Sequence, residues 1–185
     1  MSTTNLNIHT DIIEACKQGD RQAQFRLYQL YSRAMYNLCA RMLGDRTTAE
    51  DALQESFVSA FNKIHTFEGR SSFGAWIKRI VINKCLSILN KRKIFYQELD
   101  ERVMELPEET SNPYKWADIT PAQVHQSIKE LPEGCRVIFT LYQLEGYDHQ
   151  EISDILQVSV STSKSQYHRA KKLLKEKLRS EIKAH

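Results

Sequence analysis

Glycine and proline are scarce in this chain, six and four among 185 residues. So few breakers leave room for long helices and little for the turn-rich layout of sheets. No stretch shows the apolar–polar alternation of a half-buried strand. The four cysteines (Cys16, Cys39, Cys85 and Cys135) lie far apart with no C-x-x-C pair. Metal-ligand spacing is therefore missing, and they read as small buried hydrophobes in a reducing compartment. There is no HExxH, no phosphate loop, no Cys/His cluster and no carboxylate pair in a plausible cleft. That predicts a protein with no catalytic residues, no metal and no cofactor. The start, MSTTNLNIHTD, has neither a basic patch nor an apolar run, so it does not read as a secretory signal. The apolar runs fall far short of a membrane span. A cytoplasmic protein without direct membrane insertion is expected.

What is present is charge, and its arrangement says more than its total. The net charge of +3 hides +6 over residues 9–95, −5 over 96–118 and +2 over 119–185. Two basic blocks around an acidic strip suggest two nucleic-acid-facing modules and a linker. Residues 97–118 contain Pro107 and Pro113 with little periodicity, which reads as a flexible linker.

The remainder reads as helix: an all-α fold of two small domains. A short helix over Asp11–Gln18 stops at Gly19. A long one over Asp20–Leu43 spaces Phe25, Tyr28, Tyr31, Met35, Leu38 and Met42 for one inward face and ends at Gly44. Thr47 and Glu50 look like a capping box opening a third helix that runs to about Ile64. A loop to Ser72 precedes a fourth over Phe73–Lys93. Two more follow, Pro121–Glu130 and Pro132–Glu145, the second closed by Gly146.

The C-terminal end carries the strongest local signal. Asp148 N-caps a helix with Glu151 at the third position, and Ile152, Ile155 and Leu156 bury its face. Another helix starts near Ser159 or Ser161, with Tyr167, Ala170, Leu174 and Leu178 as its apolar seam. From Val158 to the end, eight Lys or Arg stand against two acids. Phosphate attraction needs that charge. Small polar residues at the helix start (Ser161, Thr162, Ser163 and Ser165) let its backbone approach base edges. Two short helices, a tight turn and a basic stripe make the layout of a DNA-binding helix-turn-helix, with the second helix in the major groove.

Two further segments carry information. In the third helix Ala49, Leu53, Phe57, Ala60, Phe61 and Ile64 point inward, leaving Asp51, Gln54, Glu55 and Asn62 outside. An acidic-polar strip is a poor DNA surface, so it should face a protein. The fourth helix has six basic residues and no acid, interleaved with Trp76, Ile77, Ile80, Val81, Ile88 and Leu89. The loop before it offers Phe67, Gly69, Arg70, Ser71, Ser72 and Phe73. Aromatic rings beside basic groups are what single-stranded DNA requires, and a polar loop with an aromatic wall suits a flipped base. Asn83, between Arg79 and Lys84, both donates and accepts, which makes it a base-reading candidate.

These segments, AEDALQESFVSAFNKI, FEGRSSFGAWIKRIVINKCLSILNKRK and LPEGCRVIFTLYQLEGYDHQEISDILQVSVSTSKSQYHRAKKLLKEKL, together resemble the extracytoplasmic-function (ECF) sigma factors of the sigma-70 family. The resemblance runs in family order over about residues 9–180. It implies a sigma region 2 over residues 9–95, an acidic linker over 96–118 and a sigma region 4 over 119–185. It assigns Asp51, Gln54 and Glu55 to the β′ clamp helices of core RNA polymerase, whose β flap is a further implied contact. It assigns Phe67, Arg70, Ser71, Ser72, Trp76, Arg79, Asn83 and Lys84 to the melted −10 strand, with Phe67 on the wall of the base pocket. It assigns Thr162, Lys164, Ser165 and His168 to the −35 bases, and Arg169, Lys171 and Lys172 to phosphates. The implied partners are polymerase, promoter DNA and a membrane-bound anti-sigma factor. Four positions depart from the family pattern. Gln157 stands where Gly is usual, at a cost of about 1 kcal/mol if its φ is positive. Val160 replaces an acid, Ser163 an apolar residue, and Gln166 an Arg, whose loss removes a phosphate contact. The rival reading is a helix-turn-helix regulator with a sensing or dimerisation domain over residues 1–95. The basic-aromatic stretch Phe67–Lys93 argues against it, because a sensor has no need of one.

Overall fold

The computed structural model describes residues 9–91 and 119–183, and these divide into two compact units with the boundary after Leu89. Among the described residues every regular element is helical. The linker expected over 96–118 lies outside the described residues, as do residues 92 and 93 of the expected fourth helix.

The first unit holds four helices: α1 (Thr10–Lys17), α2 (Arg21–Leu43), α3 (Arg46–Asn62) and α4 (Phe73–Asn90), with a 3-10 turn over Ile64–Thr66. Their ends follow from side-chain chemistry. Asp20 opens α2 by accepting from the N–H groups of Gln22 and Ala23 at 2.7 and 3.3 Å, which satisfies two orphan donors of the first turn. Gly44 closes α2 at φ 72°, a left-handed conformation that costs glycine nothing. The capping box expected at Thr47 is not there. Asp45 is the N-cap and accepts from both the N–H and the hydroxyl of Thr48, so α3 starts at Arg46 and Glu50 pairs with Arg46 instead.

The core of this unit is made by Leu27, Leu38, Met42, Leu43, Ile64, Phe73, Ile77, Ile82 and Leu89, all fully enclosed. Ala49, Ala52 and Ala60 are fully buried on α3, and small residues there let its backbone come close to its neighbours. The expected inward face of α2 needs one correction. Phe25 is 61% exposed, while Ala23, Leu27, Cys39 and Leu43 are buried beside Met35, Leu38 and Met42. The four cysteines are buried thiols outside any disulfide. Burial, with Asp20 adding repulsion, pushes the Cys16 thiol up to about 11.

The second unit holds α5 (Pro121–Lys129), α6 (Glu133–Phe139), α7 (His149–Leu156) and α8 (Val160–Lys183). Thr120 and Gln123 form a full capping box at the start of α5, with Pro121 in its first turn. The expected helix over Pro132–Glu145 is interrupted. Pro132 sits at its N-cap, α6 ends at Phe139, and Thr140–Leu144 continue as a π-helical turn. The widened turn is seen in the Glu145 N–H bonding back to the Thr140 carbonyl at 3.0 Å. Buried Arg136 donates to the carbonyls of Lys129 and Leu131, closing the end of α5 with a charged donor. Ile128, Leu131, Cys135, Ala170 and Leu174 make the core that seats α8 on α5 and α6.

Candidate nucleic-acid interface

The helix-turn-helix is α7 and α8. Asp148 accepts from the Glu151 N–H at 2.8 Å, and the Glu151 carboxylate accepts from the Asp148 N–H at 2.8 Å, completing the expected capping box. Gln157 ends α7 at φ 57°, ψ 42°. The turn therefore does need the left-handed region, which for a non-glycine costs about 1–2 kcal/mol. Its Nε2 donates to the Asp154 carbonyl at 2.7 Å, a bond that glycine would not make. Ser159 caps α8: its Oγ accepts from the Thr162 N–H at 3.0 Å and bonds the hydroxyls of Ser161 and Thr162 at 2.8 Å.

Along α8, Lys164, His168, Lys171 and Lys172 are exposed, at spacings that keep them on one side of the helix. Lys171 also lies over the Tyr167 ring, 5.0 Å from its centroid. Thr162, Ser165 and Arg169 are half-buried. Ser165 donates its hydroxyl to the Thr162 carbonyl at 3.0 Å. Lys177, part of the basic stripe in the sequence, bonds Glu130 at the C-cap of α5, and that lysine holds the carboxyl of Glu130 below its usual range.

Two of the departures in α8 lie inside the unit. Ser163 and Gln166 are both 0% exposed. The Cys135 thiol donates to Gln166 Oε1 at 3.1 Å. The expectation that Gln166 stands at a phosphate contact is thereby corrected: its side chain faces α6. Ser163 Oγ lies 2.9 Å from Nδ1 of His149, the first residue of α7. The His149 ring stacks on Tyr142 of the π-helical turn at 4.3 Å and meets Tyr167 edge-on at 5.7 Å. Tyr167 donates to Gln143 at 2.8 Å. Burial, then the charges of Lys164 and His168, hold His149 below its ordinary pKa of 6.5, against a smaller opposing effect of Asp148.

In the first unit Phe67, Phe73 and Trp76 form a three-ring cluster, with centroids 5.3–5.7 Å apart. Phe67 is 5% exposed and Trp76 half-buried. Phe67 thus supports the loop from beneath, and Trp76 is the ring that solvent reaches. Above them Gly69 turns at φ 73°, Arg70 is exposed and pairs with Glu68 at 2.6 Å, and Ser71 is exposed. Half-buried Ser72 caps α4 by accepting from the Ala75 N–H at 3.2 Å. Arg79 and Asn83 are exposed and one turn apart on α4, in line with Ala75 and Ser87.

Asp51, Gln54 and Glu55 are exposed on α3. Val58, at 61% exposure, lies in the same strip; its spacing of four from Gln54 and seven from Asp51 was the available signal. Lys84 is half-buried and bonds Glu55 across from α3 to α4. One residue each from the two sets assigned to different macromolecules therefore meet.

Residues 27–94 match the family Sigma-70 region 2, and residues 122–174 match Sigma-70, region 4. The chain is similar to the ECF RNA polymerase sigma factor SigW of Bacillus subtilis, 31% identical over 90% of this chain and 95% of that one. It is 29% identical to the RNA polymerase sigma-H factor of Pseudomonas aeruginosa, over 88% of this chain and 90% of the other. Among solved structures, the sigma factor RpoE of Bartonella quintana, in complex with the anti-sigma factor NepR, shares the fold. Its TM-score is 0.56 and its identity 22%, over 83% of this chain and 95% of that one.

Proposed function

Because the chain belongs to the sigma-70 family of RNA polymerase sigma factors, in its ECF group, we propose the following division of labour among its surfaces. The exposed strip Asp51, Gln54 and Glu55 on α3, with Val58, binds core polymerase. The face of α4 bearing Trp76, Arg79, Asn83 and Lys84, with the loop residues Arg70, Ser71 and Ser72 and the supporting ring of Phe67, captures the melted −10 strand. In the second unit Thr162, Lys164, Ser165 and His168 meet the −35 bases, and Arg169, Lys171 and Lys172 hold phosphates. The two units correspond to region 2, over residues 9–95, and region 4, over 119–185. The protein works in the cytoplasm by binding alone, favouring the open complex by holding a strand that only melting exposes.

The observation that carries this reading is the exposed pair Arg79 and Asn83 in line above Trp76, beside an acidic strip on the neighbouring helix. A cation, a base-edge partner and a ring on one helix suit an unpaired strand, and carboxylates repel one. The free protein is held inactive by an anti-sigma factor covering the α3 strip. The family supports this, as does a fold neighbour solved with such a partner.

Transcription with purified core polymerase on a genomic library tests the assignment. Core polymerase plus this chain should start at discrete promoters. The Asn83→Ala variant should lose open-complex formation about 10- to 100-fold, the size of a good base contact, while binding core normally. Weakened core binding by Asn83→Ala would make Asn83 a structural residue. Failure of the chain to bind core at all would favour the regulator reading.

A further inference from the structure

The ion pair between Glu55 and Lys84 joins the two surfaces of the first unit. Glu55 is on α3 in the strip offered to polymerase, Lys84 on α4 in the strand-capturing face, and their side chains are 60% and 30% exposed. The residues stand 29 apart in sequence, so the contact is made by the fold and not by helical spacing. Each group has another natural partner: the carboxylate a donor on polymerase, the ammonium a phosphate. Neither can hold both partners at full strength, because the geometry and charge of one contact are used by the other.

We propose that the Glu55–Lys84 pair is an internal latch that couples polymerase binding to strand binding. In the free protein the carboxylate neutralises Lys84, and the strand-capturing face is short of one cation. When polymerase takes Glu55, Lys84 is released toward the phosphates, and strand affinity rises. The coupling is reciprocal by thermodynamic necessity: a bound strand that takes Lys84 frees Glu55 for polymerase. Its size is bounded by what an exposed pair contributes, about two- to five-fold in affinity. The latch thus biases the free protein away from DNA without blocking the assembled enzyme. The inference rests on the division of surfaces proposed above.

The test is a double-variant cycle on the full chain. The probe is a fluorescein-labelled single strand of mixed sequence, about 20 nucleotides long, read by anisotropy without polymerase at low salt. Glu55→Gln should bind it about two- to five-fold more tightly than the parent. Lys84→Gln should bind it more weakly, and the double variant should match Lys84→Gln. A gain from Glu55→Gln that persists in the Lys84→Gln background would be bulk charge and would overturn the latch. Asp51→Asn serves as the matched control, removing one charge from the same strip. The second readout is core polymerase affinity without DNA. Lys84→Gln should raise it about two- to five-fold by freeing Glu55, an improvement that a merely structural lysine does not yield. Unchanged or weaker core binding by Lys84→Gln overturns the latch. If the parent chain itself does not bind core, the division of surfaces has failed, a result distinct from normal core binding without coupling.

Discussion

Gln166 illustrates how a side chain's type can mislead where its spacing does not. It lies between Ser165 and His168, among residues offered to DNA, and an arginine there would be read as a phosphate contact. Yet Ser163, Gln166, Ala170 and Leu174 follow one another at intervals of three, four and four, and all are buried. That spacing was in the sequence; a search for apolar members alone passes over its first two. Ser163 and Gln166 are tolerated inside because each has a partner, His149 Nδ1 and the Cys135 thiol. Gln166→Arg is therefore expected to destabilise the C-terminal unit by about 3–5 kcal/mol, the cost of an unpaired buried charge. It should not improve −35 affinity. Chemical denaturation followed by hydrogen exchange in α8, beside duplex binding at a temperature where both forms are folded, checks this. A folded variant with a tighter, more salt-dependent complex would return Gln166 to the DNA face.

At the scale of elements, what was legible were the ends governed by local chemistry. The Asp148–Glu151 box and Gly44 each follow from a few neighbouring residues, whereas the αL turn at Gln157 was signalled only by the glycine usual in the family there. The start of α3 was misplaced because Asp45, two residues before Thr47, takes the N–H and hydroxyl of Thr48 with a carboxylate, a better acceptor than the Thr47 hydroxyl. The π-helical turn at Thr140–Leu144 left no mark in the pattern, since it is the last turn before Gly146 and no further apolar repeat follows in that helix to show the shifted spacing. That turn carries Tyr142, on which His149 stacks, and Gln143, to which Tyr167 of α8 bonds. The folded protein holds His149 below its ordinary 6.5, so the unfolded chain binds its proton more tightly than the folded one. The resulting stability is fully present above pH 6.5 and is lost as pH falls through the lowered folded value. Charges facing the ring are Lys164 and His168 from α8 and Asp148 beside it. Melting of the C-terminal unit between about pH 5 and 8 should show a falling midpoint below 6.5, and His149→Gln should flatten that fall. An equal fall in the variant would move the effect to other groups.

For the whole molecule, the question is whether promoter affinity comes from one unit or two. Charge layout and ordered segments made two modules legible from the sequence. The residue-level division was less so, because exposure decides it: Phe67 went inside, Trp76 stayed half open, and Lys84 met Glu55. If polymerase carries both units, each DNA contact adds its own free energy, and joining them raises affinity through effective concentration. Asn83 and Lys164 stand in separate units, and if the two contacts are independent their losses add in free energy to within about 0.5 kcal/mol. In practice the holoenzyme with both Asn83→Ala and Lys164→Ala should lose promoter affinity by the product of the single losses. Lys164→Ala should also relax the preference among −35 sequences, the mark of a lost base contact, whereas Asn83→Ala should leave that preference alone. Competition filter binding of the three holoenzymes on promoters with parent and altered −35 elements reads both quantities. A regulator that grips DNA only through α8 predicts otherwise: Asn83→Ala would then be silent, and the double variant would equal Lys164→Ala. That outcome would leave the basic-aromatic face of α4 without a role in promoter binding.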